Sequence, residues 1–239
     1  MSYILYLAFG VLPSLLWLAF YLREDAHPEP KREILLVFLF GMLATVPAIF
    51  FEIFLSDTIK SFGLGDFLTT LLVNVIAVAF IEEFVKYAAV WAREQRANHN
   101  ALLDEPVDFV IYMIVSALGF AAVENLLFLL PIIQLNLAIM TTIVRAVSAI
   151  LLHTLCSGMI GYYMARSYCD REHKRRLVAK GFLIASALHG VYNLFIIKSG
   201  EDLVFLMIPL TILAGMALFL FKGFGQLKKL NSVCQLKVN

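Results

Sequence analysis

The stretch "IEEFVKYAAV", Ile81 to Val90, sets Glu82, Glu83 and Lys86 inside a run of apolar residues. Its surroundings stay apolar from about residue 67 to 92. A helix of roughly 20 such residues crosses a hydrocarbon core about 30 Å thick. Whether this run is a membrane span is decided by the rest of the chain. Of 239 residues, 61% are hydrophobic and 15% charged. The mean hydropathy of +0.85 lies outside the range of water-soluble globular domains. Six further stretches of spanning length lie near 2–22, 33–55, 107–130, 137–165, 177–197 and 202–221. They are apolar on every face and do not alternate as the strands of a membrane barrel do. The sequence therefore predicts an all-α polytopic membrane protein with seven transmembrane helices, and a single domain over residues 1–239.

The distribution of Lys and Arg predicts the orientation. Fifteen fall in the first, third and fifth connections and the C-terminal tail, and only Lys60 and Lys198 fall in the others. Basic residues collect on the cytoplasmic side, so the N-terminus is expected outside and the C-terminus in the cytoplasm. The first span lacks a basic leader region and a small-residue cleavage site, and is read as a retained helix. Cys156 falls in the fifth span, and Cys169 and Cys234 on the cytoplasmic side, where reduced thiols are expected. The formal net charge of +1 offers nothing for nucleic acid, and the basic fifth loop suits the anionic lipid of the bilayer.

A charge at bilayer depth costs about 2.5–3.5 kcal/mol on insertion scales, so each one needs a partner or a task. The polar residues concentrate in four consecutive spans: Asn74, Glu82, Glu83 and Lys86 in the third, Glu124 and Asn125 in the fourth, Arg145 and His153 in the fifth, His189 and Asn193 in the sixth. This points to one central site among spans three to six. Lys86 is four residues from Glu82 and three from Glu83, so its ammonium reaches either carboxylate on one helical face. One Glu is then held ionised, and the other is left to exchange a proton with water. His189 and Asn193 share a face, as do His153 and Ser157. At 1.5 Å per residue, Glu82, His189 and His153 lie about 16, 14 and 20 Å from the nearest cytoplasmic basic residue of their spans, which makes their depths compatible.

Each residue also has a structural use. A Glu–Lys pair can join spans, a lone His can bond between helices, and Arg145 can pair with Glu124. Glu52, near the outer end of its span, is read as interfacial, and Trp17 and Trp91 suit interfacial belts. Gly119, Gly158 and Gly161 suit close helix packing. The set as a whole suits hydrolysis of a peptide bond, which needs a base for water and donors for the oxyanion, or a metal that serves both needs. Glu82 or Glu83 supplies the base, and His189 with Asn193 supplies donors. Alternatively His153, His189 and Glu124 have the ligand types of a two-His, one-carboxylate zinc site. No H-E-x-x-H motif is present and Asn193 is a poor zinc ligand, so the sequence favours the metal-free version, in which Glu82 activates water directly, with zinc as the alternative cofactor. A proton-coupled transporter using the same carboxylates, or a noncatalytic membrane scaffold, are the alternatives. A transporter would show broken helices or paired repeats, and the sequence displays neither.

At these residues the chain resembles the PrsW family of intramembrane proteases. "EEFVKY" matches an E-E-x-x-K signature, "LGFAAVENLLF" an F-x-x-x-E-N signature with Phe120, Glu124 and Asn125, and "ALHGVYNLF" a late H-G-x-Y-[DN] signature. "VRAVSAILLHTL" resembles the family's Arg and His segment. The family groups with the CAAX prenyl endopeptidases, and its bacterial members resemble site-1 proteases that cut single-span anti-sigma factors. The resemblance implies a protease of the bacterial plasma membrane acting on a membrane-anchored protein such as an anti-sigma factor. It implies functional positions at Glu82, Glu83, Glu124, His153, His189 and Asn193. Glu82 is expected as base, Glu83 as its acid or orienting partner, and Lys86 as the charge that fixes the pair. Asn193 stands where some relatives have Asp, and Phe109 and Val110 stand where Gly is expected.

Overall fold

The computed structural model describes residues 3–23, 28–96, 103–170, 172–200 and 202–236. The start of the first span at residue 2, part of the first loop, Arg171 and Lys237 lie outside the described residues. Among those described there are only helices: α1 (Tyr3–Tyr21), α2 (Lys31–Ser61), α3 (Asp66–Leu72), a π-helical segment (Val73–Phe80), α4 (Ile81–Glu94), α5 (Pro106–Leu129), α6 (Leu135–Val147), α7 (Ala149–Cys169), α8 (Lys174–Ser199), a 3-10 turn (Leu203–Leu206) and α9 (Met207–Leu236). They make seven units long and apolar enough to cross a membrane, the third built from α3, the π segment and α4, and the fifth from α6 and α7.

The fourth unit is the hub. In α5, 89% of the spanning window is buried, against 17–39% in the other six, whose outer faces carry the apolar surface that lipid covers. Helices α1, α2 and α7 pack around α5. Small residues set the spacing: a methyl group on Gly41 would meet the Ser116 carbonyl oxygen at 2.1 Å, and one on Gly119 the Phe38 carbonyl oxygen at 2.0 Å. The α2 and α5 backbones therefore cross in direct contact, as small residues permit in membranes. Gly161 plays the same part between α7 and α5, whereas Gly158 faces the Leu220 side chain. At its start α5 is fixed by Pro106 and a capping box, with the Glu105 amide donating to Asp108 at 2.6 Å. Tyr112 donates to Glu29 at 2.7 Å, and Arg93 of α4 pairs with Glu33 of α2.

Two spans depart from the uninterrupted helices that the sequence suggests. The fifth breaks at Ser148 (φ −121°, ψ −80°), which separates α6 from α7. Trp17 donates to the Ala146 carbonyl at 2.7 Å, so this tryptophan holds the end of α6. The third widens into π turns over Val73–Phe80, directly before the acidic pair. Widening re-aims the residues that follow, and π turns recur at functional sites. Among the described residues, Cys156 is a buried free thiol.

Candidate active site

The polar residues of the four spans converge. Helix α4 carries Glu82, Glu83 and Lys86, buried to 5, 0 and 0% exposure, and α7 and α8 bring His153 and His189 against them at 3 and 1%. Gly190 makes the approach of α8 possible, since a methyl group there would lie 2.5 Å from Val75 Cα and 2.8 Å from the Asn74 carbonyl oxygen. His189 is thereby set beside the π segment and the two glutamates.

Lys86 organises the centre. Its Nζ donates to Glu83 Oε1 at 2.9 Å, to Glu82 Oε2 at 3.2 Å and to His153 Nδ1 at 2.8 Å. An ammonium has three hydrogens, and all three are used. The Phe120 ring lies beneath it, 4.5 Å from the charge to the centroid. Glu83 is saturated as well: Oε1 takes His189 Nδ1 at 3.1 Å besides Lys86, and Oε2 takes the Ser157 hydroxyl at 2.6 Å.

Both imidazoles are held from behind by a carboxylate. His153 Nε2 lies 2.7 Å from Glu124 Oε2, and with Nδ1 accepting from Lys86 the ring hydrogen belongs on Nε2. His189 gives its Nδ1 hydrogen to Glu83, which leaves Nε2 as a lone pair. The two lone-pair nitrogens face one atom, although Lys86 donates to the first: Glu82 Oε2 is 3.5 Å from His153 Nδ1 and 3.7 Å from His189 Nε2. A tetrahedral zinc ion holds its donors about 3.4 Å apart, so these spacings suit one once the Lys86 ammonium, which bonds Glu82 Oε2 and His153 Nδ1, gives way. Glu82, Glu83, His153 and His189 together have ligand atoms within 4.8 Å of one another. This grouping differs from the expected one of His153, His189 and Glu124. Glu124 bonds the far nitrogen of His153, the place of a supporting carboxylate and not of a ligand beside it.

Arg145 completes the rear support, donating to Asn125 Oδ1 at 2.6 Å and to Glu124 Oε2 at 3.0 Å over the Phe128 ring. Its pairing with Glu124 matches the structural use expected of it. A cavity of about 780 Å³ opens beside the cluster, and Glu82, Glu124, His153, His189 and Asn193 lie on its wall, whereas Glu83 and Lys86 are behind it. Two further cavities among the described residues are lined almost wholly by apolar side chains of α1, α6, α7 and α9.

Three participants were not assigned from sequence. Ser157 bonds Glu83, and its spacing of four from His153 was the signal. Phe120 lies under Lys86, four residues before Glu124 in the same motif. Glu52, read as interfacial, lies on the cavity wall.

The comparisons with known proteins agree with one another. The model of the "PrsW family intramembrane metalloprotease" matches residues 29–220. The chain is 32% identical over 185 residues to a protease PrsW of Geobacillus kaustophilus, covering 77% of this chain and 76% of that one. It is 26% identical to protease PrsW of Bacillus subtilis over 231 residues, covering 96% and 97%. It is also 26% identical to protease PrsW of Clostridioides difficile, covering 85% and 84%. No solved structure matches the chain. The carrier and scaffold alternatives give way to these matches, although the break at Ser148 and the π segment supply the interrupted helices that a carrier reading lacked. With seven spanning helices and the matched family model, the chain is a multi-pass membrane protease that belongs to the PrsW family of intramembrane metalloproteases.

Proposed function

We propose that the cavity bounded by Glu82, His153, His189 and Asn193 is where a membrane-anchored protein is cut, with Glu82 as the group that takes the proton from water. The observation that carries this is the asymmetry of the pair: Glu82 faces the cavity, whereas Glu83 is walled off and bonded by Lys86, His189 and Ser157. Water attacks the scissile carbonyl carbon as Glu82 accepts its proton. The C–N bond then breaks, and the proton passes from Glu82 to the leaving amine. Glu83 and Lys86 hold Glu82 and His189 in position. Asn193, one helical turn beyond His189 on the same wall, has the amide donor that a developing oxyanion needs. His189 in its neutral form turns an acceptor to the cavity, which suits a metal ion better than an oxyanion.

The family description as metalloproteases and the donor set agree. His153 and His189 would hold the ion, with Glu82 beside it to take the proton of its water and Glu83 and Glu124 behind the imidazoles. Zinc there would supply Lewis-acid polarisation of the carbonyl and acidify its water. Lys86 draws on Glu82 Oε2 and His153 Nδ1, so its ammonium and an ion would compete for the same atoms.

The substrate reading is site-1 cleavage of a single-span anti-sigma factor in the bacterial plasma membrane, with the N-terminus outside and the C-terminus cytoplasmic. The family resemblance supports the first part, and the bias of Lys and Arg supports the second. The test is purified protein in detergent with a panel of single-span proteins, with metal content measured on the same sample. Cleavage of an anti-sigma factor by the native chain and none by Glu82→Gln is expected. Equal cleavage by both would remove Glu82 from the role.

A further inference from the structure

We propose that Glu52 selects substrates: it recognises a cationic or hydrogen-bond-donating side chain about three residues from the bond that is cut. The inference rests on the protease reading of the cavity and adds a residue that none of the family signatures contains.

The charges on the cavity wall account for one another with one exception. Glu82 is bonded to Lys86, and Glu124 to Arg145 and His153. Arg145 is shared between Glu124 and Asn125. Glu52 also lines the cavity, yet it forms no hydrogen bond or ion pair among the described residues. Arg145 is the Lys or Arg on the cavity wall and Lys86 stands behind it, and both are engaged. Glu52 and Glu124 line the same cavity, whose one Lys or Arg side chain, Arg145, is already bonded to Glu124. A half-buried carboxylate at membrane depth without a partner is costly, and a cationic guest would remove that cost.

The surroundings suit the stem of such a guest. Val78, Phe128 and Leu210 line the same cavity, an apolar wall along which the methylenes of Lys or Arg can lie while the head reaches the carboxylate. Register follows from the helices. Glu52 is nine residues from Ser61 at the end of α2, and Glu82 is sixteen from Asp66 at the start of α3, on the same side of the membrane. At 1.5 Å per residue, an upper figure for Glu82 because its path crosses the π turns, the depths are about 14 Å and up to about 24 Å. The difference of about 10 Å is about three residues of extended chain. A substrate lying extended past Glu82 would thus place a side chain at Glu52 three positions from the cut, toward the α2–α3 connection.

The test uses Leu/Ala transmembrane peptides of roughly 24 residues, each with a single Lys, Gln or Asp at successive depths. Binding is measured by fluorescence in detergent on Glu82→Gln protein, which holds peptide uncut, with residue 52 as Glu, Gln or Lys. At one depth, Glu52 is expected to favour the Lys peptide by about 10-fold or more. The preference should vanish in Glu52→Gln and turn toward Asp in Glu52→Lys. Equal binding of the three peptides by protein with Glu52 intact overturns the proposal without reference to any variant's folding, as does a Lys preference that survives Glu52→Gln. Cleavage by protein with Glu82 intact separates the two readings. A Glu52-dependent preference without cleavage sinks the protease reading of the cavity and leaves Glu52 standing, and cleavage blind to charge does the reverse.

Discussion

Lys86 Nζ lies 2.8 Å from Nδ1 of His153, a nitrogen that would otherwise be free to bind a metal ion. The same ammonium bonds both glutamates of the signature, so it neutralises a buried pair of carboxylates and occupies ligand atoms at once. Lys86 is therefore an internal cation at the place where an external one fits.

The first prediction follows from that competition. Lys86→Met leaves Glu82 and Glu83 buried without a counter-charge, a loss of about 3–5 kcal/mol by analogy with broken buried pairs. The melting temperature of metal-free protein should fall accordingly. Added zinc should raise it more in the variant than in the native chain, because no ammonium has to leave. Equal zinc-induced shifts in the two proteins would show that Lys86 and the ion do not share ligands.

The two glutamates should separate when each is changed to Gln. Glu82→Gln keeps size and shape but cannot take the proton, so turnover should fall about 10²–10⁴-fold with little change in melting temperature. Glu83→Gln turns an amide N–H2 toward Lys86, His189 or Ser157, all of which donate to Glu83. An unmet buried donor costs about 1–3 kcal/mol, so this variant should lose stability together with turnover. Melting curves and peptide hydrolysis on the same preparations give the split, and a stability loss confined to Glu82→Gln would reverse the assignment.

The fold and the location of the site were legible because hydrophobic runs and rare intramembrane charges are both one-dimensional signals. Seven runs give seven spans, and charges that cost energy in lipid must meet one another, which puts Glu82, Lys86, His153 and His189 at one place. What the sequence does not encode locally is which nitrogen of each imidazole points inward. That depends on Glu83 and Glu124 arriving from other helices, and it moves Glu124 from ligand to support. Glu52 reads as interfacial because it lies three residues from the expected end of its span at 55, whereas α2 runs on to Ser61 and sets Glu52 on the cavity wall. The π segment itself leaves no mark in the hydropathy of "VNVIAVAF", which reads as ordinary helix.

Gly190 should be intolerant of even one methyl group. Its added Cβ would lie 2.5 Å from the Val75 backbone, so α8 must move away from the π segment and take His189 off Glu83. Gly190→Ala is expected to cost about 1–3 kcal/mol of stability and to lower turnover more than its melting temperature alone explains. A variant that melts and cleaves like the native protein would show that this contact does not set the position of His189.

Topology can be checked directly. Reporter fusions after Lys60 and Lys198 should read outside, and fusions after Arg96, Arg176 and Lys229 inside, since 15 basic residues favour one side and two the other. A reporter at the tail on the same side as Lys60 would contradict an odd number of spans.

The last prediction separates ligands from supports. Zinc affinity, measured by competition with a chelator, should be lost in His153→Ala and His189→Ala, whose Nδ1 and Nε2 respectively face Glu82 Oε2. Glu124→Gln should weaken it about 10–100-fold without abolishing it, since Glu124 only orients the ring of His153. Asn193→Ala should leave zinc affinity unchanged and lower turnover by about 2.7–4 kcal/mol of barrier, as loss of an oxyanion donor does. The pattern across four variants is what discriminates, because a general loss of fold would lower all four readings together. Full turnover after removal of all zinc, still crippled by His189→Ala, would instead make the imidazole a direct participant and Glu82 a base that needs no ion.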